Sequence, residues 1–184
     1  MAKRVVDESS LTVVADAIRE RCGTTDAMEF PNGFASTVKG IPDYFTMRMG
    51  NQVLQEYRND TLTYIYKHSF NGWLNLKGAH FPALEIVDEY GMANCGVVKF
   101  DFPKLHTIKA NAFSWGVTET MILRVNSVCT LENASALGNC PIARGTGYIY
   151  VPKALVDSYK SATNWSTYAN QIRAIEDYPE ITGG

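Results

Sequence analysis

A degenerate repeat, with a period of a little over twenty positions, runs through the middle of this chain and constrains its fold more than any other feature. It surfaces as Ser69-Phe70-Asn71-Gly72-Trp73, Gly91-Met92-Ala93-Asn94-Cys95, Ala112-Phe113-Ser114-Trp115-Gly116 and Ala136-Leu137-Gly138-Asn139-Cys140. The large apolar residues Phe70, Met92, Phe113 and Leu137 follow one another at nearly even intervals. That period fits one coil of a solenoid, in which each unit stacks on its neighbours. Such chains usually build a scaffold and a surface rather than a pocket for chemistry.

The repeat has internal grammar. Leu62 and Ile65, Leu84 and Val87, and Leu105 and Ile108 stand at matching places ahead of the large residue. Phe-Pro-x-Leu occurs at 81–84 and again at 102–105. Proline cannot donate to a continuing ladder, so each copy should end a strand. Leu76, Val98, Leu123 and Ile149 read as matching strand positions, and the strands are expected to form a parallel sheet. The fourth unit reads as shortened ahead of Leu137. One coil cannot bury both its strand and its apolar turn. Stacked coils should therefore bury Phe70, Met92, Phe113 and Leu137 in one column.

The flanks read differently. Leu11, Val14, Ala15, Ile18 and Cys22 form one apolar stripe at helical spacing, predicting a helix over 9–22. A second short helix is predicted over 33–40, burying Phe34 and Val38, with Gly40 and Pro42 ending it. Residues 43–60 show no clean period and read as a connector with room for a short strand. Beyond the strand Tyr148-Ile149-Tyr150-Val151, Pro152 should open a helix with Ala154, Leu155, Val156 and Tyr159 on its apolar side. Trp165 then anchors a cap over the last coil, with Ile172 and Ile175 packing back, and residues 179–184 read as a frayed tail. The expected organisation is a helical docking module (1–42), a connector (43–60), the repeat array (61–152) and a C-terminal cap and tail (153–184).

Composition limits the function. Net charge is -2, and no dense Lys/Arg run offers a track for nucleic acid. No stretch approaches a membrane span, and the opening Met1–Glu8 lacks the apolar core of a secretion signal. The expectation is a chain made and folded in a cytoplasm. Of Cys22, Cys95, Cys129 and Cys140, none forms a CxxC pair; Cys95 and Cys140 read as small buried hydrophobes.

No catalytic or metal-binding pattern emerges. His68, His80 and His106 form no close cluster with cysteine, and neither HExxH, GxSxG, a P-loop nor GxGxxG occurs. Gly145-Thr146-Gly147 reads as a turn before a strand. The acidic pairs Asp88/Glu89 and Glu176/Asp177 carry nothing to suggest a facing pair across a cleft. No cofactor, metal ion or enzymatic activity is expected. The better surface candidates are aromatic: Tyr64, Tyr66, Trp73, Tyr90 and Trp115. Exposed tyrosine and tryptophan stack on sugars or anchor a protein partner at modest entropic cost.

Through Phe81-Pro82-Ala83-Leu84, Phe102-Pro103-Lys104-Leu105, Ile108, Ala112-Phe113 and the Asn-Cys steps, the repeat resembles the BspA-type leucine-rich repeat. Tyr148–Pro152, Tyr159-Lys160, Asn164-Trp165 and Tyr168-Ala169 resemble the closing segment of those proteins. The resemblance implies an α+β chain: a short leucine-rich repeat β-solenoid with a small helical N-terminal module and a helical C-terminal cap. Leu11–Arg19, Gly23-Thr24 and Phe30-Pro31-Asn32-Gly33-Phe34 are similar to a module of tail-associated proteins of phages infecting Gram-positive bacteria.

Together these resemblances imply a phage or prophage virion protein, a tail or host-recognition component without enzymatic activity. Its N-terminal helices would dock on other virion proteins, and its solenoid would meet a host surface glycan or protein. Neither nucleic acid nor membrane insertion is expected; a homo-oligomer is compatible. The rival is an intracellular protein-protein interaction module of phage or bacterial origin, including an anti-defence factor.

Overall fold

The computed structural model describes residues 54–182. The helices predicted over 9–22 and 33–40 lie outside the described residues, as does Cys22. Among the described residues the strands are, in order, β1 (Glu56–Arg58), β2 (Tyr64–Ile65), β3 (Gly78–His80), β4 (Ile86–Val87), β5 (Lys99–Phe102), β6 (Thr107–Ile108), β7 (Thr120–Leu123), β8 (Thr130–Leu131), β9 (Tyr148–Val151) and β10 (Ile172–Ala174). An α-helix, α1 (Val156–Ser161), and a 3-10 segment over Trp165–Gln171 stand between β9 and β10. The fold is mixed α+β with parallel sheets and short C-terminal helices.

The expected parallel sheet is three sheets. One runs β2-β4-β6-β8, another β5-β7-β9-β10, and β1 pairs with β3; every pairing is parallel. The chain contributes a short strand to one sheet, turns at the Phe-Pro-x-Leu step, and contributes the next strand to another. Ile65, Val87, Ile108 and Leu131 stand in register along the first sheet, at nearly equal steps along the chain. The strand allowed for in the connector is β1.

Two register expectations need correction. In the second sheet Phe100 pairs with Met121, Met121 with Ile149, and Ile149 with Ile172. Leu123 pairs instead with Phe102, and Val98 lies ahead of β5, 43% exposed, while Val97 is buried. Both expected positions are two residues from the true register: Leu123 lies within its strand, where a slip of two keeps the face and the apolar pattern cannot reject it, whereas Val98 lies ahead of β5, where strand alternation no longer applies. The fourth unit is longer, not shorter. The stretch from Met121 to its partner Ile149 exceeds that from Phe100 to Met121 by a third. Part of the excess lies in the Cys140–Gly147 turn, where Gly145 and Thr146 bond back to Ile142 and Pro141.

Packing follows from these registers. Phe70, Met92, Phe113 and Leu137 are buried, at 5%, 1%, 0% and 0% exposure. Their turns are tied by backbone bonds from Phe70 N to Gly91 O, Met92 N to Ala112 O, and Phe113 N to Ala136 O, each 2.8 Å. Phe100 and Phe102 point inward beside Phe113, at 5.2 and 5.9 Å between ring centroids, while Asp101 between them faces out to Arg124. Full burial of one such side chain is worth about 1.5–3 kcal/mol. Neighbouring passes of the chain approach closely at Gly96, where a Cβ would sit 2.0 Å from the Leu74 carbonyl oxygen.

The C-terminal segment covers the last strand of the first sheet. An uncovered edge leaves backbone groups unpaired. Here Trp165 Nε1 donates to Cys129 O at 2.6 Å, Asn164 Nδ2 donates to Leu131 O at 2.8 Å, and Cys129 N donates to the Tyr159 hydroxyl at 2.9 Å. Trp165 and Tyr159 meet edge to face at 5.2 Å, and both are buried. Ile172 is buried within β10, which covers the edge of β9; Ala154 is exposed rather than on the packed side. Part of the tail is also held: Lys99 donates to Ile181 O, and just ahead of the tail Tyr178 packs on Tyr150.

Candidate functional site

Counting from the buried large residue of each unit locates the site. Three positions on stand Trp73, Cys95, Gly116 and Cys140, all buried. Two positions on stand Gly72, Asn94, Trp115 and Asn139, all with positive φ (80°, 51°, 56° and 61°). Two positions before stand His68, Tyr90 and Asn111, again with positive φ (62°, 56° and 56°). The first three turns therefore each carry two left-handed residues flanking the buried anchor. Glycine and asparagine adopt that conformation readily; for a bulky side chain it is a genuine outlier.

Trp115, like Tyr90, is such an outlier. It is 55% exposed, so burial does not compensate for the backbone conformation. Its backbone is fixed by a bond from its N–H to Gly138 O at 2.8 Å. Tyr90, half-buried, occupies a left-handed position in the preceding unit. Between them opens a shallow groove of about 390 Å³ lined by Asn71, Tyr90, Ala93, Asn94 and Trp115. His68 stacks on the Tyr90 ring at 5.1 Å with the ring planes nearly parallel, and its Nδ1 lies 3.1 Å from the Asn71 amide nitrogen. The groove is thus lined by two aromatic residues, one of them stacked on His68, and by two asparagines.

The five aromatic candidates do not form one face. Tyr90 and Trp115 meet in the groove. Trp73 is a correction: it is 6% exposed and packs edge-on against Phe70 and Tyr57. Its place is the buried column of Cys95 and Cys140, one residue beyond that of Trp115. Tyr64 and Tyr66 pair at 4.6 Å, away from the groove lining. Tyr66 is exposed; Tyr64 donates to Asp88 Oδ2 at 2.6 Å and accepts from Lys109 Nζ at 3.2 Å. Sequence reasoning misses Asn71, Asn94 and His68 as contributors to the site. Only Asn94 carries a positional signal, two places beyond a buried anchor and equivalent to Trp115; Asn71 and His68 enter through contacts.

The acidic pairs are tied into the framework. Asp88 receives Tyr64 and also pairs with Lys109 Nζ at 3.0 Å, joining three successive units. Burial works against its ionisation, but hydrogen bonds from Tyr64, the Glu89 backbone N–H and Lys109 prevail and hold it below the usual carboxylate range. Glu89 pairs with Lys67, Glu176 accepts the Lys153 backbone N–H, and Asp177 pairs with Lys153 Nζ at 2.8 Å.

Cys95, Cys129 and Cys140 are buried free thiols, all pushed up by burial, Cys129 to about 12. A buried thiol held protonated is a poor nucleophile and a poor metal ligand. Among the described residues no group of three or more His, Cys, Asp or Glu is placed to hold a metal ion, and no helix is long and apolar enough to cross a membrane.

No protein-family model matches the chain, and no curated protein matches it significantly in sequence.

Proposed function

We propose that residues 61–152 are a short BspA-type leucine-rich repeat solenoid, closed by the C-terminal cap, serving as a recognition scaffold, without enzymatic activity, in a phage virion. The recurrence of parallel pairing at a near-constant interval along β2-β4-β6-β8 supports the solenoid reading. The repeated turn, the Phe-Pro-x-Leu step and the C-terminal cover agree with it. The two short strands per pass, on separate sheets, are the two sides of one coil.

The observation that carries the recognition role is Trp115, an exposed tryptophan in a left-handed backbone conformation. The neighbouring units hold Gly72, Asn94 and Asn139 at the equivalent position, residues that suit the conformation. Backbone strain retained where an easier residue is available points to use of the side chain. A rigid aromatic on a stacked array is a suitable anchor for a ligand. The virion placement rests on the resemblance of residues 11–34 to tail-associated modules, which would dock the scaffold on the particle.

Immunogold labelling of purified particles tests the placement. Discrete label at the tail is the expected result. Unlabelled particles, with the protein abundant in the infected-cell lysate, would refute it and move the recognition role to an intracellular partner.

A further inference from the structure

We propose that the groove between Tyr90 and Trp115 is a binding site for a pyranose ring of a neutral saccharide, with Asn71 and Asn94 supplying its hydrogen bonds. This ligand class deepens the recognition role given above and rests on it.

Four properties of the groove select this ligand class. The first is its volume, about 390 Å³, near the lower end of the roughly 300–1,000 Å³ usual for small-molecule sites. The second is its open, shallow form, which suits one sugar of a longer chain better than a ligand that must be enclosed. The third is its wall. A pyranose has a face of C–H groups and an edge of hydroxyls, and an aromatic ring such as Trp115 or Tyr90 offers the flat apolar surface that the C–H face requires.

The fourth is its polar chemistry. The lining side chains Asn71, Tyr90, Ala93, Asn94 and Trp115 carry no formal charge. A carboxylate or phosphate ligand would find no cation among them, and an ammonium ligand no carboxylate. Each asparagine amide both donates and accepts. Sugar hydroxyls do the same, so paired amides satisfy a hydroxyl edge without demanding charge. Asn71 is close to His68 Nδ1, and His68 stacks on Tyr90. His68 is therefore a positioning residue: it holds both the amide and the ring that a sugar would touch.

The same architecture supplies a clean test. Asparagine and glycine already occupy the position of Trp115 in the neighbouring units. Trp115→Asn and Asn94→Gly therefore remove the ligand-facing groups while keeping backbones that suit the left-handed conformation. The full chain, labelled with ¹⁵N, is titrated with a panel of methyl pyranosides and neutral disaccharides while the Trp115 indole and the Asn71 and Asn94 amide signals are followed. The expected result is a saturable shift of these signals with at least one saccharide, weakened about tenfold or more in Trp115→Asn and about threefold to tenfold in Asn94→Gly. Thermal melts of the same samples confirm that each variant is folded.

No shift at these signals with any saccharide overturns the proposal and leaves a protein surface as the ligand. Equal binding by the wild type and Trp115→Asn also overturns it, because the sugar would then sit elsewhere. The particle label reads the virion placement independently. Labelled tails without saccharide binding sink only the ligand class, and saccharide binding without labelled tails sinks only the placement.

Discussion

Replacing Phe113 with alanine should be among the most damaging single changes to the described fold. Its side chain is fully buried, and its ring touches Phe100 and Phe102 at 5.2 and 5.9 Å between centroids. The backbone around it is pinned on both sides. Phe113 N donates to Ala136 O, and Ala112 O accepts from Met92 N, each at 2.8 Å. Neither neighbouring turn can close over the void without losing such a bond. Phe→Ala in a core costs about 3–5 kcal/mol, and poor relaxation favours the upper half of that range. A loss of about 4 kcal/mol corresponds to a fall in Tm of about 8–16 °C for a chain of this size. Equilibrium urea unfolding and calorimetry measure both quantities. Leu74→Ala, at a position 55% exposed, provides the control and should change stability by no more than about 0.5 kcal/mol. A Phe113→Ala loss below about 1 kcal/mol would refute the stacked-column reasoning.

Three further outcomes follow from named contacts. Trp115→Asn should melt at the same temperature as the wild type or up to a few degrees higher, because asparagine tolerates φ near 56°, whereas Trp115→Val should melt lower; scanning calorimetry separates them. Tyr159→Phe removes the acceptor of the buried Cys129 N–H and should cost about 1–3 kcal/mol in urea unfolding. Stability should fall in alkali. Cys129 is pushed up to about 12 in the fold, so it keeps its proton above pH 9 while the unfolded chain loses it. That contribution is intact below the unfolded value and is lost as pH rises toward 12, at a slope of up to about 1.4 kcal/mol per pH unit for one group. Cys95 and Cys140, also raised by burial, add to the same slope, and urea midpoints followed from neutral pH into alkali would reveal it.

Much of the framework is legible because its determinants are local. Phe-Pro-x-Leu marks where strands end, and the apolar residues at fixed distance ahead of Phe70, Met92 and Phe113 are those that pair in register. The second sheet is harder to read. Its strands lie after turns of varying length, and a slip of two residues, as at Leu123, leaves the apolar pattern intact. The long fourth unit escapes a reading by spacing because the step from Leu131 to Leu137 is only slightly wider than its counterparts, while most of the insertion lies beyond Leu137.

The site is half legible. Tyr90 and Trp115 stand out as aromatics, but composition alone cannot separate Trp115 from Trp73. One residue of offset from the buried anchor places Trp73 inside and Trp115 outside. Left-handed positions held by asparagine and glycine in sister units are the signal that separates them. The roles of Asn71 and His68 depend on contacts across the turn, which no spacing along the chain displays.

The most direct test of the recognition claim is co-sedimentation of purified protein with isolated cell walls of the host, comparing the wild type with Trp115→Asn. The wild type is expected to pellet with the walls while the variant, melting no lower, stays largely in the supernatant. Equal pelleting of the two proteins, or no pelleting of either, would contradict the claim.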